Sequence, residues 1–144
     1  MILSPNGVKL IQSFESLRLL SYQDEKGVWT NGWGHTGPDV TPAQTIDQNQ
    51  AFVWFAKDVA WAERAVGDLS KVPLNQNEFD ALVSLVFNIG RSRLAKSKLL
   101  SKLNAGDRNG AAAEFLTFRL VDGQPSDGLY KRRWQEAKLF TSRN

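Results

Sequence analysis

Between Phe14 and Thr36 the chain reads FESLRLLSYQDEKGVWTNGWGHT, and this stretch limits the fold more than any other. It begins at the end of an amphipathic helical run, passes through a cluster of turn residues and finishes in a glycine-broken segment of strand character. A helix must therefore give way to a small hairpin or sheet within 23 residues. The change of period places Glu15 at a helix end, Asp24 beside a turn and Thr30 on a strand, so three polar side chains can converge from three elements. With no cysteine and one histidine in the chain, whatever chemistry they do is mainly carboxylate chemistry.

Upstream, Ser4-Pro5 reads as a helix start, the serine as N-cap and the proline in the first turn, where its missing donor costs nothing. Val8, Ile11, Phe14 and Leu17 recur at helical spacing and mark a buried stripe. Glu15 falls beside it, one turn beyond Ile11 and partly in apolar surroundings near the helix end. Downstream, Asp24-Glu25-Lys26-Gly27 supplies a turn, and Val28 to His35 reads as one strand. On period 2, Val28, Thr30, Gly32 and Gly34 share one face, and Trp29, Asn31, Trp33 and His35 the other. Two glycines on one face imply close approach by a ligand or another backbone. Gly32 and Gly34 are thus candidate substrate-binding positions, with tight packing against a helix as the competing reading.

The remainder is helical. A long helix is expected from about Ile46 to Val66, started by Thr41 or Thr45 and punctuated by Gly67. Asn75 and Glu78 have capping-box spacing, and Phe79, Leu82, Val83, Val86 and Phe87 give the strongest apolar stripe, predicting a central buried helix over Gln76–Ile89 closed by Gly90. Ser97 to Asn104, Gly110 to Leu120 and Leu129 to Phe140 read as further helices, with a loop from Asp122 to Gly128. The fold class is α+β, mostly helical. Residues 1–144 form one domain, with a sheet-bearing lobe over 14–45, a helical lobe over 1–13 and 67–144, and a connecting helix over 46–66.

At 144 residues the chain is long enough to bury roughly two thirds of its unfolded surface without a staple. Residues 1–90 carry a charge balance of −4 and residues 91–144 a balance of +7, so the C-terminal part is drawn to polyanions in a salt-dependent way. The start, MILSPNGVKLIQSFE, lacks the layout of a signal peptide, and no apolar run approaches the ~20 residues of a membrane span. A soluble, uncleaved protein is expected. Absent cysteines exclude disulfides and thiolate nucleophiles. No phosphate loop or GxSxG motif is present, and a metal site would need Asp39 or Asp47 to join His35 from flexible segments, so neither metal nor cofactor is expected.

Hydrolysis of a glycosidic bond uses what remains. It needs one carboxylic acid protonated for the leaving oxygen and one carboxylate ionised to stabilise the cationic sugar or drive attack. Glu15 beside the apolar stripe suits the first role. Asp24 at a solvated turn suits the second, and Thr30 suits holding a water against Asp24.

The residues Glu15, Asp24 and Thr30 within this stretch resemble, at the same spacing, the catalytic signature of the phage-type lysozymes, glycoside hydrolase family 24. The likeness extends through NQNEFDALVSLVFNIG, KLLSKLNAGD and GLYKRRWQEAKLF. It implies a lysozyme-like fold with the active-site cleft between a small sheet lobe and a larger helical lobe. It also implies a muramidase that cleaves the β-1,4 bond between N-acetylmuramic acid and N-acetylglucosamine, with Glu15 as acid, Asp24 as base, stabiliser or nucleophile and Thr30 placing the water. His35 would be a supporting residue, and either Arg132 or Arg133 would contact Glu15. A phage or prophage endolysin of this kind would be a monomer with peptidoglycan as substrate and no nucleic-acid partner. It would wait in the host cytoplasm for a holin to give it access to the wall. Two segments depart from the family pattern: Arg91-Ser92-Arg93-Leu94-Ala95-Lys96 is unusually basic, and Gln124-Pro125-Ser126 alters the later loop. Five tryptophans, among them Trp29, Trp33, Trp54 and Trp61, invite a sugar-stacking reading against the commoner one of core packing.

A different class of function is a membrane-active antibacterial protein. It would work through the closing helix, with Lys131, Arg132, Arg133 and Lys138 around Trp134, Leu139 and Phe140 meeting an anionic envelope surface. A catalytically silent wall-binding module is a third reading, against which the intact trio argues.

Overall fold

The computed structural model describes residues 1–143. Helix α1 (Pro5–Phe14) begins where Ser4 predicts, the Ser4 hydroxyl accepting the Gly7 N–H at 3.2 Å. Ile11 is fully buried on its inner face. The helix ends at Phe14, so Leu17 leaves the expected stripe and is exposed.

An antiparallel sheet follows in the order β1 (Arg18–Gln23), β2 (Trp29–Gly32), β3 (His35–Thr36). Thr30 is the shared residue, facing Tyr22 on β1 and Thr36 on β3, while Asn31 pairs with His35. This register corrects the expected single strand from Val28 to His35. Gly32 and Gly34 have φ of +64° and +78°, a left-handed backbone that turns the chain back through Trp33 in a three-residue connection. Alternation of faces therefore stops at Asn31, and β2 is buried from Thr30 through Gly32.

Helix α2 (Gln48–Leu69) starts later than expected because its cap is Asp47, whose carboxylate accepts the Gln50 N–H at 2.8 Å. Thr45 instead bridges to Leu20. Gly67 lies inside the helix, exposed and with open space around it, rather than ending it. Helix α3 (Gln76–Ile89) matches the expected bounds. Asn75 Oδ1 accepts the Glu78 N–H at 2.7 Å, the Glu78 carboxylate accepts the Asn75 N–H at 2.9 Å, and Gly90 ends the run at φ +92°. Such a cap contributes about 1 kcal/mol.

Then come α4 (Arg91–Ala95), absent from the sequence expectation, α5 (Lys98–Asn104) capped by Ser97, and α6 (Arg108–Glu114). Asp107 caps α6 by accepting the Gly110 N–H, so Gly110 sits within the helix it was expected to bound. A 3-10 turn over Phe115–Thr117 replaces the rest of that helix. The expected loop contains a short hairpin, β4 (Leu120–Val121) with β5 (Gln124–Pro125), before α7 (Asp127–Thr141), capped by Ser126.

Two compact units divide the chain: Lys9–Trp61, and Met1–Val8 with the chain from Ala62 on. In the first, Trp33, Trp54, Phe55 and Val59 are buried, and the Trp33 ring lies 4.8 Å from Phe52 and 5.8 Å from Phe55. In the second, α3 packs chiefly on α7 and α5 on α6. Phe79, Leu82, Val83, Val86, Leu103 and Phe115 are at most 1% exposed there, each such burial being worth about 1.5–3 kcal/mol. The architecture is α+β and mostly helical. No helix of the described residues is long and apolar enough to cross a membrane.

Candidate active site

Glu15 follows the last residue of α1, and its N–H still reaches the Ile11 carbonyl at 3.2 Å, so the helix ladder fixes its backbone. Its side chain is half-buried. The turn between β2 and β3 comes up against its carboxylate: a Cβ built on Gly34 would lie 3.3 Å from Glu15 Oε2 and 3.8 Å from Cδ. Glycine is needed at residue 34 twice over, for its positive φ and for this approach.

Asp24 and Thr30 are joined by the peptide groups of one residue. Asp24 Oδ1 accepts the N–H of Lys26 at 2.8 Å and that of Val28 at 2.9 Å, an Asx-type arrangement that closes the β1–β2 hairpin. The Val28 carbonyl in turn accepts the Asp24 N–H and the Thr30 hydroxyl, both at 2.9 Å. The Asp24 carboxylate is thus oriented through one oxygen and exposed to solvent, and Oδ2 takes no hydrogen bond among the described residues. Thr30 is 4% exposed. Because its hydroxyl donates inward, its lone pairs are what it can offer a water.

Gly32 follows the competing reading of tight packing. It is buried, and a Cβ there would lie 3.5 Å from Ala51 Cβ and 3.8 Å from Ile46 Cδ1. Its bare face serves packing at the start of α2, not a ligand.

His35 is held on three sides. Nδ1 lies 3.0 and 2.9 Å from the two oxygens of Asp58, Nε2 lies 2.8 Å from Asp39 Oδ1, and the ring stacks on Trp54 at 4.3 Å and 20°. Both carboxylates are satisfied together when the ring carries both protons. The His35 hydrogen bond holds the Asp39 carboxyl below its ordinary range, whereas burial pushes Asp58 up against the pull of His35. The sequence reading named His35 as a supporting residue but missed Asp58 and the stack, whose partners lie 23 and 19 residues on. Trp33 and Trp54, at 8% and 7% exposure, are core residues rather than sugar platforms.

In the other unit, Arg133 and Glu136 are both fully buried. Arg133 Nε lies 2.6 Å from Glu136 Oε1, Nη2 donates to Oε2 at 3.0 Å, and Nη1 donates to Asn88 Oδ1 at 2.8 Å. Ser84 donates to Glu136 Oε2 at 2.5 Å. Burial pushes the Glu136 carboxyl up, opposed by Arg133 and Ser84. Arg133 is therefore a structural cation, which corrects its nomination as a site residue, while Arg132 is half-buried on the same helix. With Arg133 and Phe140 inside the unit, α7 also lacks two of the residues that a membrane-disturbing face would have used.

A profile of the phage lysozyme family matches residues 12–136. The endolysin of Acyrthosiphon pisum secondary endosymbiont phage 1 is 44% identical over 146 aligned residues, covering 99% of each chain. The endolysin of Salmonella phage P22 is 40% identical, again with 99% of each chain covered. Among solved structures, the muramidase domain of SpmX from Asticaccaulis excentricus superposes with a TM-score of 0.90 at 34% identity, over 99% of both chains.

Proposed function

This chain belongs to the phage lysozyme family, and on that premise we propose that Glu15, Asp24 and Thr30 carry the hydrolysis of the β-1,4 bond between N-acetylmuramic acid and N-acetylglucosamine. The chain is a lysozyme-type glycoside hydrolase, a peptidoglycan-degrading phage endolysin. Glu15 gives its proton to the glycosidic oxygen as the C1–O bond breaks. The oxocarbenium-like sugar is stabilised by the Asp24 carboxylate, and water adds to C1. In the inverting course Asp24 takes one proton of that water while Thr30 Oγ1 accepts a hydrogen bond from its other O–H. In the retaining course Asp24 bonds to C1 first, and water then releases the sugar.

The observation that supports these roles best is the shared anchor at Val28, whose N–H fixes Asp24 Oδ1 and whose carbonyl fixes the Thr30 hydroxyl. It leaves Asp24 Oδ2 without a hydrogen bond among the described residues and the Thr30 hydroxyl oriented. Glu15 differs in environment, half-buried and backed by Gly34. A half-buried and an exposed carboxylate suit the division between acid and base.

The same reading has the enzyme act as a monomer, wait on the cytoplasmic side of the host membrane and reach the wall through a holin pore. Its basic C-terminal part would be drawn to the anionic envelope. The test is reducing-end release from purified, protein-free peptidoglycan, with mass spectrometry of the fragments. Wild type is expected to release fragments ending in reducing N-acetylmuramic acid, and Glu15→Gln to lose at least about 10²-fold in rate with its fold intact. Anhydro ends would overturn hydrolysis in favour of transglycosylation, and an active Glu15→Gln would overturn the role of Glu15.

A further inference from the structure

Outside the trio, a concave site combines shape with a cluster of three cations. It lies between the α4–α5 corner and the 3-10 turn after α6, with a volume of about 470 Å³. Arg93, Lys96 and Lys98 stand on one wall, and Glu114, Thr117 and Phe118 on the other. The three cations are exposed, and among the described residues none has a carboxylate within ion-pair distance. The one acid of the pocket is already neutralised, since Glu114 Oε1 lies 2.8 Å from Lys102 Nζ. The basic wall therefore faces no net opposing charge.

The chemistry of the wall selects the kind of anion. The Arg93 guanidinium lies over the Phe118 ring at 5.4 Å, which supports its flat face and leaves its N–H edge for a planar fork of acceptors. A phosphate offers two oxygens to such a fork and further oxygens to the lysine ammonium groups on either side. Ser97 and Thr117, also at the pocket, have hydroxyl protons committed to the Leu94 and Glu114 carbonyls, so recognition rests on the three cations. A concave pocket receives a group that protrudes from a flexible chain more readily than a flat lipid surface. The three cations come from RSRLAK and the lysine that follows Ser97, the basic segment that the hydrolytic site does not use.

We propose that this pocket binds the phosphodiester groups of an anionic envelope glycopolymer and so holds the enzyme near its substrate. The proposal gives a location to the envelope attraction in the functional reading and rests on it for the place of action, while the binding itself is independent of hydrolysis. Attraction of this kind falls with ionic strength, because the groups are exposed and the screening length is about 8 Å at 0.15 M.

The experiment uses the full chain and three probes: soluble poly(glycerol phosphate), inorganic phosphate, and vesicles of phosphatidylglycerol. Binding is followed by calorimetry and by cosedimentation, and hydrolysis of soluble peptidoglycan fragments is measured in parallel. Two variants of equal charge loss are compared, R93Q/K96Q/K98Q in the pocket and K131Q/K138Q/R143Q, which do not line it. Poly(glycerol phosphate) is expected to bind wild type and the second variant alike, and the pocket variant at least about tenfold more weakly at low salt, with hydrolysis of fragments unchanged in all three. Weak competition by inorganic phosphate for the same site would support a phosphate pocket. Equal weakening in both variants would overturn the pocket in favour of diffuse charge, and so would absence of binding by wild type. Vesicle binding that depends on the pocket residues, without binding of the polymer, would make a membrane the partner and overturn the proposal. Loss of hydrolysis by wild type would instead strike the functional reading and leave the binding result standing.

Discussion

Replacing Gly34 by alanine tests whether the β2–β3 turn positions Glu15, the proposed acid. Two costs arise from the structure. The backbone at φ +78° is left-handed, where a Cβ costs about 1–2 kcal/mol. The new methyl would also stand 3.3 Å from Glu15 Oε2, so that the carboxylate or the turn must give by a few tenths of an ångström. Gly106 separates the two, because its φ of +85° imposes the same strain while its Cβ would meet nothing within 4 Å. Both variants are expected to melt lower, by roughly 3–5 °C for each kcal/mol in a chain of this size. Only Gly34→Ala should lose catalysis beyond that. If 1 Å of misplacement costs 10²-fold, a shift of a few tenths costs roughly 4–10-fold in kcat, with KM little changed. The assay is steady-state hydrolysis of soluble peptidoglycan fragments at a temperature where both variants are folded. A Gly34→Ala enzyme that turns over as fast as Gly106→Ala would refute the argument that the turn braces Glu15.

Asp24→Asn keeps an oxygen for the Lys26 and Val28 N–H groups, so it should retain stability within about 0.5 kcal/mol while losing most of its kcat. Asp24→Ala should lose activity and also about 1–2 kcal/mol, measured by urea unfolding; equal stability of the two would show that the carboxylate does not hold the hairpin. Glu136→Gln leaves Arg133 buried without its counter-charge, and about 3–5 kcal/mol of stability is expected to go, seen as a melting point lowered by roughly 9–25 °C. A near-neutral result would mean that Asn88 and solvent satisfy Arg133. Asp39 has a depressed carboxyl pKa because of His35, so its contribution is present above the unfolded value near about 4 and fades as pH falls through the folded value. Asp39→Asn should therefore be less stable than wild type at pH 6 and converge with it as pH falls below that folded value. The difference will be small because the side chain is half exposed and screened, and a constant offset across that range would contradict the assignment.

Helix α3 was legible because capping, apolar period and a terminal glycine all agree over Asn75 to Gly90. The stretch from Phe14 to Thr36 was legible in its residue types but not in its path. Alternating glycines are compatible with period 2, and only the positive φ values at residues 32 and 34 reveal a turn. Asp47 was passed over as a cap because Thr45 and Gln48 offer the same capping-box spacing, and the choice was made by the pairing of Thr45 with Leu20. Arg133 and Glu136 stand three residues apart, a helical pairing signal, yet they looked like surface charge because burial of an ion pair depends on what packs over it. The His35 clamp is beyond local reading for the same reason, since Asp58 comes from a different element.

The main-chain anchor beneath Asp24 and Thr30 has an evolutionary corollary. Neither side chain depends on what residue 28 carries, since its N–H and carbonyl do the holding and its own side chain is 43% exposed. Position 28 is thus free to drift through most of the amino-acid alphabet, absorbing neutral variation between the two proposed site residues. Proline alone is barred, for it would delete the N–H that orients the carboxylate.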